Sequence, residues 1–494
     1  MVEPMNKKNT FLITFGIIFV VISVWQIYNA QFGLDVIYLK NSNPPVTIVT
    51  PSNSTSASRP TVLIAHGLAG SSVIMRGFAL TLAHAGYTTV SWDFQGHGAN
   101  PNPLVSSSHS NDLLQDAESA LSAAEATGLV DTKRLAILGH SMGSGVALSY
   151  GTTHPETAAT IAISPVNQTV NPDLPHNLLL MAGSLEPQFV GNAEELLALA
   201  GGQGGELSKG SARKLVIIPD VEHISILFSP RAHLTARLWL DGTYGSQPGP
   251  SNYVDRRIIW FGVGILGIIF LANACLNMIS TKSQIKFSIR PLWFRMLAIF
   301  VGAITATIVL WLISLSGVHV NQLLGLLVGG FLIIWFGLAG VTSLLILRPK
   351  IYKPSTTELL KTIVAFSALW LGVGLLGHYV WLPWLLIPSR FWLWIPGSII
   401  LLPWYFAVGS ATIEAKPAGL LGWWFFQVIS ILVSLILAIR LNPGLGFLIL
   451  ILPLVPVIIG FHMLVISSKH GVWAYALSGA MFTSWLILAV FPLQ

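Results

Sequence analysis

The sequence predicts an α/β domain with a doubly wound sheet, preceded by one transmembrane helix and followed by an all-α membrane domain of about eight helices. Of the 494 residues, 53% are hydrophobic and only 9% are charged, which is too apolar for an ordinary soluble protein. Apolar runs of about 20 residues lie near the start and throughout the second half. Between them, short β-rich runs alternate with amphipathic helical patterns, as in doubly wound α/β domains.

These changes in composition predict three segments: an anchor over residues 1–30, the α/β domain over 31–250 and the membrane domain over 251–494. The first apolar run, Phe11 to Tyr28, follows Lys7 and Lys8 and is typical of a signal peptide or a signal anchor. Cleavage after Ala30 would require a small residue in place of Tyr28. We therefore expect an uncleaved anchor.

The second half contains eight further apolar runs, each long enough to cross about 30 Å of hydrocarbon. They are Ile258–Met278, Met296–Leu315, Leu323–Leu347, Thr362–Leu382, Phe391–Ala411, Leu420–Ile439, Gly446–Ile466 and Val472–Val490. Together with the anchor they predict about nine spans. Almost no ionisable residue lies at mid-depth in these runs, which argues against an ion-coupled transporter.

Basic residues in the short loops predict the orientation, because cytoplasmic connections collect Lys and Arg. One set of alternate loops holds Lys7, Lys8, Lys282, Lys286, Arg290, Arg295, Arg348, Lys350, Lys353, Lys361, Lys416 and Lys469. The opposite short loops offer only Arg390 and Arg440. We therefore expect a multi-pass protein of the cell membrane with a cytoplasmic N-terminus and with the α/β domain on the extracytoplasmic side.

The charge distribution also excludes some functions. From residue 35 to 257 there are 12 Lys and Arg against 17 Asp and Glu, and elsewhere there are 14 against 3. The basic excess therefore belongs to the membrane loops, and we expect no nucleic-acid partner. The single cysteine, Cys275, lies in an apolar run and offers neither a disulfide nor a cysteine metal site. We expect no metal and no cofactor.

Glycine-bearing turns follow the predicted buried strands of the α/β domain. Residues 135–148 read LAILGHSMGSGVAL, in which Gly139, Ser141 and Gly143 form G-x-S-x-G. The earlier strand Thr61–Ala65 runs into HGLAG at 66–70. A G-x-S-x-G alone is weak evidence because Gly and Ser are common in turns, but a strand before it and a helix after it favour a nucleophile.

Together these motifs resemble the α/β-hydrolase superfamily, in the style of the cap-poor dienelactone hydrolases and monoacylglycerol lipases, over roughly residues 35–245. The resemblance implies that Ser141 is the nucleophile, held on a tight turn between strand and helix where side chains at Gly139 and Gly143 would clash. It also implies an oxyanion hole made by the backbone N–H groups of Leu68 and Met142.

The same resemblance places the catalytic acid after the next strand and the general base after the last one. The strand Asn177–Ala182 ends at Gly183, and the residue three positions on is Glu186 rather than the commoner Asp. The alternative is that Glu186 is a solvated loop residue, whereas Asp173 is a poorer acid because it precedes the strand.

The expected general base is His223, which follows the last strand in the run Asp220-Val221-Glu222-His223. Its alternative is an ordinary exposed loop histidine. His66 and His97 belong to turn motifs and are expected to make structural hydrogen bonds, and His140 is expected to point away from the site.

Only a short loop fits between Pro165 and Asn177, so the lid that many lipases carry there is expected to be missing. The later segment His378–Phe391, HYVWLPWLLIPSRF, is either an interfacial anchor or an apolar path to Ser141 lined by Trp381, Trp384 and Leu386.

The sequence therefore predicts a membrane-bound serine hydrolase that cleaves a carboxylic ester or thioester of a lipid or acylated small molecule through Ser141, His223 and Glu186. Its partners would be that substrate and the membrane lipids. Two alternatives stay open: a serine peptidase of the same fold, and a catalytically idle sensing or assembly module. The substrate and the oligomeric state are not specified.

Overall fold

The computed structural model describes residues 6–52, 59–105, 109–247, 253–279 and 290–494. Lys282 and Lys286, which contributed to the predicted orientation, lie outside these ranges. The chain divides into two compact units. The first comprises Met1–Val24, Phe261–Gly377 and Trp384–Phe491, and the second comprises Trp25–Trp260, His378–Pro383 and Pro492–Gln494.

The described residues form eight β-strands and fifteen α-helices. The strands are β1 Leu34–Leu39, β2 Val46–Pro51, β3 Pro60–Ala65, β4 Thr88–Trp92, β5 Asp131–His140, β6 Ala159–Ile163, β7 Leu178–Gly183 and β8 Arg213–Ile218. The helices are α1 Lys7–Asn29, α2 Arg76–His84, α3 His109–Glu125, α4 Met142–Thr153, α5 Pro187–Leu199, α6 Pro230–Tyr244, α7 Arg257–Met278, α8 Leu292–Leu315, α9 Gly329–Leu347, α10 Thr356–Leu369, α11 Pro388–Thr412, α12 Pro417–Leu441, α13 Leu448–Ile451, α14 Leu454–Val465 and α15 Val472–Val490.

All eight strands belong to one sheet in the second unit, in the order β1-β2-β4-β3-β5-β6-β7-β8. β2 runs antiparallel to β1 and β4, and the other neighbours are parallel. β3 and β7 are buried along their whole length, as expected for strands covered on both faces. The predicted doubly wound α/β class is confirmed.

Helices cover both faces of this sheet. α2 and α6 lie on one face, over a core that includes Phe78, Ile64 and Leu138. α4 and α5 lie on the other face, over a core that includes Leu148 and Leu180. This arrangement brings the carboxyl ends of the parallel strands, and the turns that follow them, to one edge of the sheet.

Two short segments from late in the chain complete the second unit. The N–H of Leu493 donates to the carbonyl of Gly96 over 2.9 Å, and the Leu493 carbonyl accepts from the N–H of Leu104 over 2.8 Å. The Arg257 guanidinium donates to the carbonyl of Tyr379 over 2.7 Å. The two bonds of Leu493 therefore stabilise the loop that follows β4, and the bond of Arg257 holds the segment at Tyr379.

The described residues contain eight helices long and apolar enough to cross a membrane, or nine if one bent pair is a single span. Several long apolar helices of this kind suggest a membrane protein. Small residues allow these helices to approach closely in the first unit. A Cβ added at Gly340 of α9 would lie 2.0 Å from the backbone nitrogen of Trp404 in α11.

Three predicted spans differ from the structure. The run Gly446–Ile466 was expected to be one helix, but it breaks by 54° between α13 and α14. The break lies beside Pro453, which has no N–H to donate. The run Leu323–Leu347 becomes helical only at Gly329, because Leu324 and Val328 have positive φ values of 57° and 63°.

The third difference is that the helix α10 starts earlier than the predicted span. α10 begins at Thr356, six residues before the predicted Thr362. Ser355 accepts from the N–H of Glu358, and the Glu358 carboxylate accepts from the N–H of Ser355, which together form a capping box. Because the residues of this first turn are polar, the hydropathy of the sequence did not indicate that the helix begins here.

Candidate active site

Ser141 lies at the junction between β5 and α4 with a strained backbone, φ 53° and ψ −120°. The glycines on both sides are required by space. A Cβ at Gly139 would lie 1.9 Å from the carbonyl oxygen of Gly143, and a Cβ at Gly143 would lie 2.5 Å from the carbonyl oxygen of Ala65. The sequence around Ser141 therefore forms the tight strand-to-helix turn that presents a serine hydroxyl at the sheet edge.

The structure brings Ser141, His223 and Glu186 together in one chain of hydrogen bonds. His223 Nε2 lies 3.0 Å from Ser141 Oγ. His223 Nδ1 lies 2.8 Å from Glu186 Oε2. The three residues are 8%, 4% and 6% exposed, respectively, so neither the histidine nor the glutamate is a solvated loop residue.

Glu186 is held through its other oxygen as well. Oε1 accepts from the hydroxyl of Ser164 and from the N–H of Gly183, each over 2.6 Å. The sequence analysis did not identify Ser164, which follows β6 with a positive φ of 46°. The available signal was its position at the end of a buried strand. Asp173 is exposed, and its charge acts on Arg213.

Two aromatic rings hold the imidazole of His223. The Phe189 ring stacks on it with centroids 4.2 Å apart and planes at 26°. The His140 ring lies 4.7 Å away. His140 Nε2 donates to the backbone carbonyl of His223 over 2.9 Å. The expectation that His140 points away from the site is therefore wrong, because its ring packs beneath the loop that carries His223.

Burial affects the pKa of two histidines near this site, His140 and His66. Burial lowers the pKa of His140 well below its usual value, and the neighbouring His223 lowers it further. Burial also lowers the pKa of His66. His66 Nδ1 donates to the carbonyl of Gly67 and its Nε2 accepts from the N–H of Phe94, so this ring is neutral and structural. His97 Nδ1 donates to the Gln95 carbonyl in the neighbouring turn.

The predicted oxyanion-hole residues lie on the two turns that flank Ser141. Met142 is the first residue of α4, and Leu68 lies in the turn closed by the 3.0 Å bond from the N–H of Gly70 to the carbonyl of Gly67. Within the described ranges, neither the N–H of Leu68 nor that of Met142 donates to a protein acceptor. Both donors are thus available to a ligand.

The loop between β6 and β7 contains no helix or strand, so the site lacks a lid inserted at this position, as expected. The indole of Trp384, expected as one wall of an apolar path, is instead fully buried against Trp370, Phe482 and Trp485. That indole presents no surface to a bound chain. No cluster of three or more His, Cys, Asp or Glu that could hold a metal occurs among the described residues.

Part of this chain is similar to known proteins. The family model described as "Serine aminopeptidase, S33" matches residues 56–196, which include Ser141 and Glu186. Two uncharacterized proteins from strains of Mycobacterium tuberculosis are 25% identical over 187 residues. That match covers 35% of this chain and 65% of each relative, so the chain spans slightly less than two thirds of their length.

Solved structures resemble the same part of the chain. A soluble variant of monoglyceride lipase from Saccharomyces cerevisiae is 16% identical, covers 42% of this chain and 95% of its own, and gives a TM-score of 0.31. A membrane phospholipase A described as a bacterial virulence factor is 16% identical, covers 46% of this chain and 92% of its own, and gives a TM-score of 0.35.

The sheet order, the helices on both faces and the serine turn after β5 define a hydrolase-like α/β protein. The family match over residues 56–196 supports the resemblance of the α/β domain to the α/β-hydrolase superfamily.

Proposed function

We propose that this protein is a membrane-bound serine hydrolase that cleaves a carboxylic ester or thioester in a lipid or acylated small molecule. The observation that carries the proposal is the continuous chain from Ser141 Oγ through the His223 imidazole to the Glu186 carboxylate, with contacts of 3.0 Å and 2.8 Å. A serine, a histidine and a carboxylate in this arrangement are the components of nucleophilic acyl transfer.

In the first half-reaction, His223 Nε2 takes the proton of Ser141 as Oγ attacks the substrate carbonyl carbon. The carbonyl oxygen becomes an oxyanion and accepts from the N–H groups of Leu68 and Met142. As the intermediate collapses, the bond to the alcohol or thiol breaks and His223 returns the proton to the leaving group. Water then attacks the acyl-enzyme with His223 again as base, which releases the acid and restores Ser141.

Glu186 keeps the His223 tautomer correct, because its carboxylate accepts from Nδ1 and leaves Nε2 free to take the serine proton. The carboxylate also stabilises the imidazolium that forms during attack. Ser164 and Gly183 fix Oε1, so that Oε2 faces the imidazole. These contacts explain how a Glu, one methylene longer than the usual Asp, is held in place.

The setting of the domain favours a lipid or acylated substrate. We propose that residues 31–250 form the catalytic domain, anchored by a span over 1–30 and by the membrane domain over 251–494, on the extracytoplasmic side. The support is the set of long apolar helices on both sides of the domain in sequence and the basic bias of alternate loops. A substrate dissolved in the outer leaflet would be present at high local concentration near such an enzyme.

A serine peptidase is the second candidate, favoured by the match to the serine aminopeptidase family. The same nucleophile and base cleave amides. An aminopeptidase also needs an anionic group to bind the substrate amine. Glu222, next to His223 in sequence, already accepts from the N–H groups of Ile224 and Ser225. The remaining alternative, an idle sensing or assembly module, predicts no turnover.

The test uses the full chain in detergent and a fluorophosphonate probe, which labels only an activated serine. We expect labelling of the parent protein and of a Ser149→Ala control on the same helix, and no labelling of Ser141→Ala. A labelled Ser141→Ala protein would contradict the assignment. Matched acyl esters and aminoacyl amides then separate the candidates: faster amide cleavage would favour the peptidase.

A further inference from the structure

A cleft of about 560 Å³ lies in the second unit, away from the residues of the candidate triad. Its volume falls within the usual range for small-molecule sites. The last turn of α1 contributes Gln26 and Asn29, the segment after α1 contributes Phe32, and the chain entering α7 contributes Tyr253, Arg256 and Trp260. The cleft is therefore built where two apolar helices end.

The length of α1 sets the expected depth of its last turn in a membrane. In the first unit α1 and α7 pack antiparallel: a Cβ at Gly16 would lie 2.7 Å from Leu271 Cγ, and one at Gly264 would lie 2.4 Å from Ser23 Oγ. In the second unit, the end of α1 and the start of α7 line the same cleft. A helix of 23 residues is about 35 Å long, which exceeds the hydrocarbon thickness of about 30 Å. In a helix that spans a bilayer, the last turn is therefore expected at the level of the lipid headgroups.

Exposed aromatic residues mark the same level. Trp25 is 61% exposed, Tyr28 is 77% exposed and Phe32 is 81% exposed. Trp and Tyr concentrate at the boundary between hydrocarbon and water, where the ring is partly buried and its polar atom is wet. The end of α1, which contributes Gln26 and Asn29 to the cleft, therefore has the composition of an interfacial belt.

The floor of the cleft is rigid and uncharged. Tyr253 stacks on His84 with centroids 4.1 Å apart and planes at 25°. His84 Nε2 donates to the carbonyl of Ala30 over 2.9 Å. Burial lowers the pKa of His84, so its ring is neutral at physiological pH. This floor links the end of α1 to α2.

The wall carries one cation that is not neutralised. The Arg257 guanidinium donates to both oxygens of Asp255, over 2.8 Å and 2.7 Å, and so its charge is paired. Arg256 is exposed, and within the described ranges its side chain makes no ion pair or hydrogen bond. It lies beside the positive end of the α7 dipole, a position that favours a bound anion. The side-chain amides of Gln26 and Asn29 also have no partner among the described residues.

We propose that this cleft binds a glycerophospholipid, with its phosphate paired to Arg256 and its oxygens accepting from the amides of Gln26 and Asn29. The acyl chains then follow the exposed apolar side of the start of α7, where Ile259 is 59% exposed. Two features of the ligand are recognised. One is a single phosphodiester charge at the depth of the headgroups, and the other is the apolar chains that extend below it. The proposal does not depend on hydrolase activity.

The test places the photoreactive residue p-benzoylphenylalanine at position 32 of the full chain, purified in a phosphate-free sugar detergent. Phosphatidylglycerol, phosphatidylcholine or a diacylglycerol of the same chains is added before irradiation, and the intact mass reports the adduct. We expect adducts with both phospholipids and at least about tenfold less with diacylglycerol, since charge-assisted hydrogen bonds contribute about 1.5–3 kcal/mol.

Variants identify the cation. Arg256→Gln is expected to lower the phospholipid adduct about tenfold, whereas Arg256→Lys retains most of it and Arg231→Gln, an exposed arginine on α6, leaves it unchanged. The proposal fails if Arg256→Gln equals the parent, if the lysine variant loses the adduct as fully as the glutamine variant, or if diacylglycerol is captured equally. Loss of the adduct on adding inorganic phosphate would show a site for the free ion and would also overturn it.

Discussion

Ser164 donates its hydroxyl to Glu186 Oε1 over 2.6 Å, while the other oxygen of the same carboxylate accepts from His223. The two strands that precede these residues, β6 and β7, are neighbours in the sheet. Under the proposed mechanism, Ser164 would thus be a positioning residue that acts through Glu186, and among the described residues no hydrogen bond joins it to Ser141.

Replacing Ser164 by Ala is expected to lower kcat about tenfold, because one charge-assisted hydrogen bond to the carboxylate is lost. KM should remain unchanged, since Ser164 is not placed to touch the substrate. Steady-state kinetics on a short p-nitrophenyl ester measure both constants, with Ser149→Ala as the control. A variant that changed KM alone would assign Ser164 to substrate binding instead.

The two donors on Oε1 also predict an unusually severe effect of Glu186→Gln. The Gly183 N–H can only donate, so the amide oxygen is expected to stay opposite Gly183 and Ser164, and the amide NH₂ then faces His223 Nδ1. That contact requires an unprotonated Nδ1 and places the imidazole proton on Nε2, where it cannot accept from Ser141. We expect a loss of about 10³-fold or more in kcat/KM.

The double variant Glu186→Gln with Ser164→Ala separates this tautomer effect from simple loss of charge. Removal of Ser164 leaves the Gly183 N–H to hold the amide oxygen, so the double variant should be about as slow as Glu186→Gln alone, because the function of the Ser164 contact is already lost. If the double variant were slower than Glu186→Gln alone by the full factor of Ser164→Ala, the two residues would act independently and the tautomer argument would be wrong.

The positions of the three candidate triad residues could be predicted from local sequence, whereas some of their contacts could not. Ser141, Glu186 and His223 each follow a parallel strand, so recognising the strand ends is sufficient to bring them to one edge. The contact of His140 with His223 depends on how two loops pack, which no local pattern records. The broken span at Pro453 was concealed for a different reason: hydropathy is continuous through the break.

Acid should destabilise the α/β domain. Burial lowers the pKa of His66, His84, His140 and His233, so the unfolded chain binds more protons than the folded one near and below pH 6.5. Their contribution is complete above about pH 6.5 and is lost as the pH falls, by up to about 1.4 kcal/mol per pH unit for each histidine. Asp116 opposes them, because burial raises its pKa to about 6.

Thermal unfolding of the full chain in detergent at pH 7.5, 6.5 and 5.5 measures this dependence. We expect the midpoint to fall on acidification, and His233→Gln, which removes one titrating group, to make the fall shallower. A midpoint that rose steadily towards pH 5.5 would mean that Asp116 and other carboxylates dominate the balance.

The predicted orientation is tested by cysteine labelling in a Cys275→Ser background. Glu194 on α5 and Lys350 after α9 are both exposed and lie in regions predicted to face opposite sides. With a membrane-impermeant maleimide on intact cells, Glu194→Cys should react directly and Lys350→Cys only after permeabilisation. The reverse pattern would place the α/β domain in the cytoplasm.

The bond from Leu493 to the loop after β4 predicts long-range protection of that loop. Leu493→Pro removes the N–H that donates to Gly96, whereas Leu493→Ala keeps it. Loss of one backbone hydrogen bond costs about 1 kcal/mol, so amide exchange of the peptide containing Gly96 and Leu104 should rise about fivefold in the proline variant and little in the alanine variant. Equal exchange in both variants would show that the Leu493 side chain, rather than its backbone, holds the loop. The N–H of Leu104 donates to the Leu493 carbonyl, so the exchange rate of the Leu104 amide reports most directly on this contact.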